Sequence, residues 1–152
     1  MSVTLHRLVA GETAALAREL ERSYAEDMER HGGFAPDVAR RKATADVAQL
    51  LEDGTAAAYA VEAHGDRVGH LWVGERENPR GRVLWIYDVF VKEAFRGRGF
   101  GRDAMVLAEG EARRRGLDRV SLNVFGGNEV ARRLYRSLGY NEIAVVMTKD
   151  VQ

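Results

Sequence analysis

The chain has 152 residues, which fits one domain and leaves little room for a second. Lys plus Arg and Asp plus Glu both total 23, so a globally basic surface of the kind that grips nucleic acid is not supported. The absence of cysteine excludes disulfides, thiolate metal sites and a cysteine nucleophile, and no apolar run approaches the ~20 residues that span a bilayer. Arg7, Glu12 and Arg18 interrupt any signal-peptide core at the start, so the expectation is a cytoplasmic protein.

Residues 2–9 alternate and read as a strand. From Glu12 to about His31 the pattern turns helical, with Leu16, Leu20, Tyr24 and Met28 every four residues on one face, and Gly32–Gly33 stop it. Pro36 and Asp37 suit the first turn of a second helix, which ends before Asp53–Gly54. Residues 55–63 and 67–74 form two strands around a His64-Gly65-Asp66 turn. Residues 82–91 form a third, apolar on both faces as a central strand requires. A glycine-rich turn then enters a helix over about 99–115, ended by Gly116. A strand over 120–125, a short helix over about 128–138 and a last strand over 142–149 complete the chain. The expected fold is α/β (α+β): a mixed, mostly antiparallel sheet of six to seven strands flanked by about four helices.

The chemistry concentrates between Val89 and Tyr140. The turn Arg96-Gly97-Arg98-Gly99-Phe100-Gly101-Arg102 sits between a strand and a helix. Glycines at alternate positions remove the side-chain wall, so main-chain N–H groups can converge beside the positive end of the helix dipole. Three arginines add full charges, which suits a diphosphate. The turn lacks the Lys-Ser/Thr ending of a triphosphate loop, and its G-x-G-x-G spacing misses the dinucleotide pattern. From Arg96 to Arg136 there are ten arginines and five acids, a local net of +5 in a neutral chain. Packing alone would explain a glycine turn, but not its arginines. Asn128 and Tyr135 lie seven apart, on nearly the same side of a helix and roughly 10 Å apart along it. Singly, Asn128 reads as a helix N-cap and Tyr135 as a core aromatic. Beside the arginine-glycine turn they read as the two ends of an extended ligand site.

These motifs resemble the GNAT superfamily of acyl-CoA-dependent N-acetyltransferases. Arg96 to Gly101 matches that family's pyrophosphate pattern, Q/R-x-x-G-x-G/A, in full. VFVKEAF resembles its pantetheine-pairing strand, and SLNVFGGNEVARRLYRSLGYNEIAVVMTKDV its second half. The clear match covers about residues 83–150, and the first half agrees in element order. The resemblance implies one N-acetyltransferase domain over 1–152, with an acceptor-side half (1–82) and an acetyl-CoA-binding half (83–150), its strands splayed at the cofactor site. It implies cofactor contacts from Val89, Phe90 and Val91 on the strand, from Arg96, Gly97, Arg98, Gly99, Phe100, Gly101 and Arg102 in the turn, and from Asn128 and Tyr135. Tyr135 would protonate the departing thiolate, with acetyl-CoA as co-substrate and no metal. The acceptor would be the primary amine of a small molecule or peptide, with neither nucleic acid nor membrane as partner, and family members often form homodimers.

An attacking amine must be neutral, so something must take its proton. Some members place a glutamate where this chain has Asn123, which cannot serve. Asp88 is the candidate base. It stands in an apolar strand, where an isolated carboxylate is costly, so it is partnered, open to water in a cleft, or kept protonated. A structural carboxylate is the competing reading, and Tyr87 and His70 are weaker candidates. Tyr24, Met28, Phe34, Trp72 and Trp85 are candidate acceptor lining. Glu26, Asp27 and Glu29 either draw a cationic amine or form a solvated helix face. The alternative to an enzyme is a non-catalytic acyl-CoA-binding sensor, against which Tyr135 speaks.

Overall fold

The computed structural model describes residues 3–152. Its elements are β1 (Thr4–Arg7), α1 (Ala10–Gly32), α2 (Pro36–Asp53), β2 (Ala57–Ala63), β3 (Asp66–Asn78), β4 (Gly81–Val91), a single 3-10 turn (Glu93–Phe95), α3 (Phe100–Arg114), β5 (Val120–Leu122) and α4 (Glu129–Ser137). The sheet runs β1-β2-β3-β4-β5. The first three pairings are antiparallel, and β4 with β5 is parallel. Proline at the start of α2 and left-handed Gly33 and Gly54 at the ends of α1 and α2 set those helices where the sequence put them.

Two layers of core lie on the two sheet faces. On one, Val61, Leu71, Val73, Leu84 and Ile86 meet Ala104, Met105 and Ala108 of α3. On the other, Ala58, Ala60 and Trp72 meet Leu16, Leu20 and Val47 of α1 and α2. Leu71, Trp72, Leu84 and Met105 are fully buried, and each side chain of that size contributes about 1.5–3 kcal/mol. A third cluster, Ala25, Met28, Ala39 and Ala43 with Phe34 and Phe125, joins the α1–α2 corner to the loop after β5. The backbones of β3 and β4 approach so closely at Gly69 that a Cβ there would lie 2.0 Å from the carbonyl oxygen of Phe90.

The sheet has five strands among the described residues rather than six or seven, and the sixth is the one missing. Residues 142–149 carry a strand's alternation, yet residues 141–152 have no secondary structure and are exposed throughout. A strand needs an edge to pair with, and Glu142, at the root of this segment, is held instead against α4. Its Oε1 accepts from Arg132 at 2.6 Å and from Arg136 at 3.0 Å.

β4 carries the irregularity that matters most. Trp72 pairs with Asp88 but the next residue of β3, Val73, pairs with Ile86, so Tyr87 is an extra residue on β4. A bulge of this kind puts two successive side chains on one face. Leu84 and Ile86 face α3, Tyr87 packs toward α1 and α2, and Val89 and Val91 face α3 again. Asp88 shares the α1–α2 side with Tyr87. Simple alternation would have driven it in among Leu84 and Ile86.

Candidate active site

The bulge delivers Asp88 to a partner. Its Oδ2 lies 2.6 Å from Nε2 of His70, a residue 1% exposed on β3. The other ring nitrogen, Nδ1, is 3.6 Å from the Glu19 carboxylate of α1, which also meets Arg67 at 3.4 Å. The His70 ring stacks on Phe90, with centroids 5.1 Å apart. Asp88 is therefore not an isolated buried charge. It begins a row, Asp88–His70–Glu19, whose first link is a hydrogen bond and whose second, at 3.6 Å, is a longer contact to a partly exposed carboxylate.

The negative charge of Asp88 is also felt by two other groups. The phenol of Tyr135 is pushed up to about 12, first by burial and then by the negative charges of Asp88 and Asp27. Asp27 is itself raised, chiefly by burial, with Asp88 adding to the effect and His31, 3.9 Å away, opposing it. Of the three acids near the end of α1, Glu26 and Glu29 point to solvent and only Asp27 turns inward.

β4 and β5 pair only at Leu84–Val120, Trp85–Ser121 and Ile86–Leu122. Beyond Ile86 they part, leaving a wedge. Lys92 donates its main-chain N–H to Val68 of β3 at 2.8 Å. Because main-chain groups alternate in direction along a strand, those of Phe90 also face β3, and those of Val89 and Val91 face the wedge. Phe90 thus differs from its two neighbours, and its side chain lies under the guanidinium of Arg96, 5.4 Å from the ring centroid. Arg96 also donates to the Val91 carbonyl at 2.9 Å.

At one end of the wedge is the arginine-glycine turn. Gly97 and Gly99 adopt left-handed φ values of 78° and 84°, and Gly99 is the N-cap of α3. Asp103 N–H already bonds the Gly99 carbonyl, so the N–H groups of Phe100, Gly101 and Arg102 have no partner within the helix. The Phe100 side chain is buried in the core, which leaves its N–H as its only offering to a ligand. Gly101 is of another kind. A Cβ there would make ordinary contacts with Leu134 at 3.7 Å and Val91 at 3.8 Å. Arg98 lies over Phe95, and Arg102 reaches Ser137 on α4 at 2.5 Å.

On α4, Tyr135 is in contact with the α3-side core and 6.0 Å, ring to ring, from Tyr140. Asn128 caps α4 by accepting from Ala131 N–H at 3.2 Å, which commits its oxygen and leaves its NH2 for other use. Of the expected acceptor lining, Trp72 is fully buried in the α1–α2 core, and Trp85 lies under Arg76. Tyr24 donates to Asp46 at 2.9 Å. Phe34 meets Phe125 edge to face. Asn123, on the loop leaving β5, is exposed. Among the described residues no His, Asp and Glu cluster is arranged to hold a metal ion, and no helix is long and apolar enough to cross a membrane.

The model of the acetyltransferase (GNAT) family matches residues 16–140. The chain belongs to the GNAT acetyltransferase family. Over 87 residues it is 39% identical to YycN of Bacillus subtilis (strain 168), named an uncharacterized N-acetyltransferase, which is 57% of this chain and 55% of that protein. It is 36% identical over 90 residues to the mycothiol acetyltransferase of Thermobispora bispora, covering 57% of this chain and 30% of that one. The matched stretch thus spans about half of YycN and less of the mycothiol enzyme. The crystal structure of the Bacillus subtilis YycN acetyltransferase superimposes with a TM-score of 0.87 at 29% identity, over 99% of both chains. An acetyltransferase of Clostridium acetobutylicum solved with acetyl-CoA shares the GNAT fold at a TM-score of 0.70 and 14% identity, over 97% of this chain and 96% of that one.

Proposed function

We propose that this GNAT protein transfers an acetyl group from acetyl-CoA directly to the primary amine of a small molecule or peptide. The observation that carries the reading is the wedge. Val89 and Val91 turn main-chain groups toward the wedge that no strand takes, the Val91 carbonyl accepting from Arg96 of the phosphate-suited turn. An extended arm with amide groups fits that edge as a strand would. Acetyl-CoA supplies the thioester, and the structure of the Clostridium acetobutylicum protein solved with acetyl-CoA supports that choice.

The roles follow from position. The N–H groups opening α3, with Arg98 and Arg102, take the pyrophosphate, and the Asn128 NH2 faces the arm. The Val89 N–H meets negative charge developing on the carbonyl oxygen. Asp27 and Asp88 form an acidic approach suited to a cationic amine. Asp88 takes the proton the amine must lose, and His70 can pass it on toward Glu19 and solvent. The new C–N bond then forms as the C–S bond breaks. The Tyr135 hydroxyl holds a hydrogen bond on the departing sulfur, and the thiolate takes up a proton from water as it is released, so that an amide and a free thiol leave.

The test is release of free thiol from acetyl-CoA across a panel of amines. Turnover with at least one amine is expected. If no amine gives release while coenzyme A still raises the melting temperature, the protein is a sensor and the proposal fails. Asp88→Asn is expected to lower kcat at neutral pH by about 10²-fold or more, with the Kd for acetyl-CoA within about twofold. Stopped-flow kinetics and calorimetry measure the two separately. An unchanged pH–rate profile in that variant would make Asp88 a structural residue.

A further inference from the structure

Two buried nitrogens lack a hydrogen bond at the far end of the row that starts at Asp88. Nδ1 of His70 and Nε of Arg67, both on β3, have no partner among the described residues. One carboxylate reaches both side chains. Glu19 Oε2 lies 3.6 Å from Nδ1 and 3.4 Å from a terminal nitrogen of Arg67. The other neighbours of His70 bring no charge. Ala60 of β2 pairs with it, and Phe90 of β4 stacks on the ring with the two planes 21° apart, which holds both ring nitrogens in place. A buried polar atom left unpaired is costly, so Nδ1 is drawn to the Glu19 carboxylate.

The chemistry turns on where the ring proton sits. A separation of 2.6 Å between Nε2 and the Asp88 Oδ2 needs a proton between them. Neutral imidazole has one N–H. On Nε2 it would point at Asp88, Nδ1 would turn a lone pair on the Glu19 carboxylate, and no ring nitrogen facing Asp88 could accept a further proton. On Nδ1 it points at Glu19, and Nε2 becomes the acceptor. The proton in the short contact is then one that the pair has gained. We propose that Glu19, on α1 and outside the wedge, is a positioning residue that keeps a proton on Nδ1 of His70, so that Nε2 takes over the proton Asp88 removes from the amine. The role rests on Asp88 being the base. The proton passes from the amine nitrogen to Asp88 and from Asp88 to Nε2. Asp88 is then a carboxylate again, and His70 is an imidazolium between two carboxylates, with Arg67 steadying the outer one.

Nitrogen-15 NMR of the histidine rings in the full chain reads Nδ1 directly. The chain has four histidines, and the His70 signals are those that survive His6→Gln, His31→Gln and His64→Gln, none of them buried. At neutral pH, Nδ1 of His70 is expected to carry a proton in the unaltered chain and none in Glu19→Ala. The Glu19 side chain is 38% exposed and alanine suits a helix interior, so the fold tolerates the change. Nδ1 bare in the unaltered chain, or protonated in both, overturns the proposal. In kinetics, Glu19→Ala is expected to lower kcat about 10-fold, part of what a positioned base contributes, with the acetyl-CoA Kd within about twofold. In the Asp88→Asn background it should cost nothing further, because Glu19 acts through the base. An unchanged kcat, or losses that multiply in the double variant, equally overturn it. Should the unaltered chain turn over no amine, the acetyl-transfer reading falls by itself and the Nδ1 measurement alone decides the role of Glu19.

Discussion

A Gly99→Val chain is expected to lose about 100-fold or more of its affinity for acetyl-CoA, read by titration calorimetry. Gly99 is the N-cap of α3 with φ at 84°, a region that costs a β-branched residue roughly 1–3 kcal/mol. Nothing in the protein crowds the position, since a Cβ there has no neighbour within 4 Å. The penalty is therefore in the backbone, and the chain relieves it by leaving the left-handed region and swinging the N–H groups of residues 100–102 off their common target. A hydrogen bond to a charged group contributes about 1.5–3 kcal/mol, so misdirecting two of them accounts for the loss. Gly99→Asn is the control, because asparagine tolerates the left-handed region. It should retain most of the affinity. Equal affinity in the valine variant and the unaltered chain would remove the turn from the binding site.

Tyr135→Phe is expected to lower kcat by about 10²-fold or more while leaving the acetyl-CoA Kd nearly unchanged. The reason lies in the surroundings of the phenol. Burial, then Asp88 and Asp27, push it up to about 12, so it stays protonated at any pH an enzyme of this kind works at. Ordinary thiols lose their proton near 8.5, so a phenol this weakly acidic does not readily complete a transfer to a thiolate. Its contribution is a short O–H bond held on sulfur while negative charge gathers there. A sign follows for pH. Since negative neighbours disfavour the phenolate, removing one by Asp27→Asn should lower the Tyr135 pKa. Any basic limb seen between about pH 7 and 10 belongs to another group, and it should persist in the residual activity of Tyr135→Phe. Its disappearance there would return the limb to the tyrosine.

Much of the site was legible because it is local. The run Arg96–Arg102 reads as a turn by its glycines and as an anion site by its arginines. Both readings need only the chain on either side. Asn128 and Tyr135 were placed by helical spacing alone. What escaped the sequence depends on contacts across the fold. The alternation of Ile143, Val145 and Met147 reads as a strand, but pairing depends on where the segment's root is held, and Glu142 is bound to Arg132 and Arg136 of α4. Glu26, Asp27 and Glu29 look alike in a row, and only the packing of α1 against the sheet decides that Asp27 turns inward. Trp72 reads as possible lining until the two sheet faces are known, and it then belongs to the α1–α2 core. His70 looks like any lone histidine. Its distance to Asp88 is set by the register of β3 on β4, which no local pattern encodes. Phe100 falls inside the glycine motif, yet its ring belongs to the core beneath the helix.

The extra residue on β4 has a consequence for how this protein can vary. Point substitutions at 87 or 88 alter the chemistry of one side chain and leave the strand's phase alone. Deleting either residue, or inserting one between Ile86 and Val89, rotates everything downstream by half a turn. Val89 and Val91 would then trade faces with their neighbours. The carboxylate, the histidine beneath it and the main-chain groups that face the wedge are in this sense inherited together, set by a length rather than by a letter.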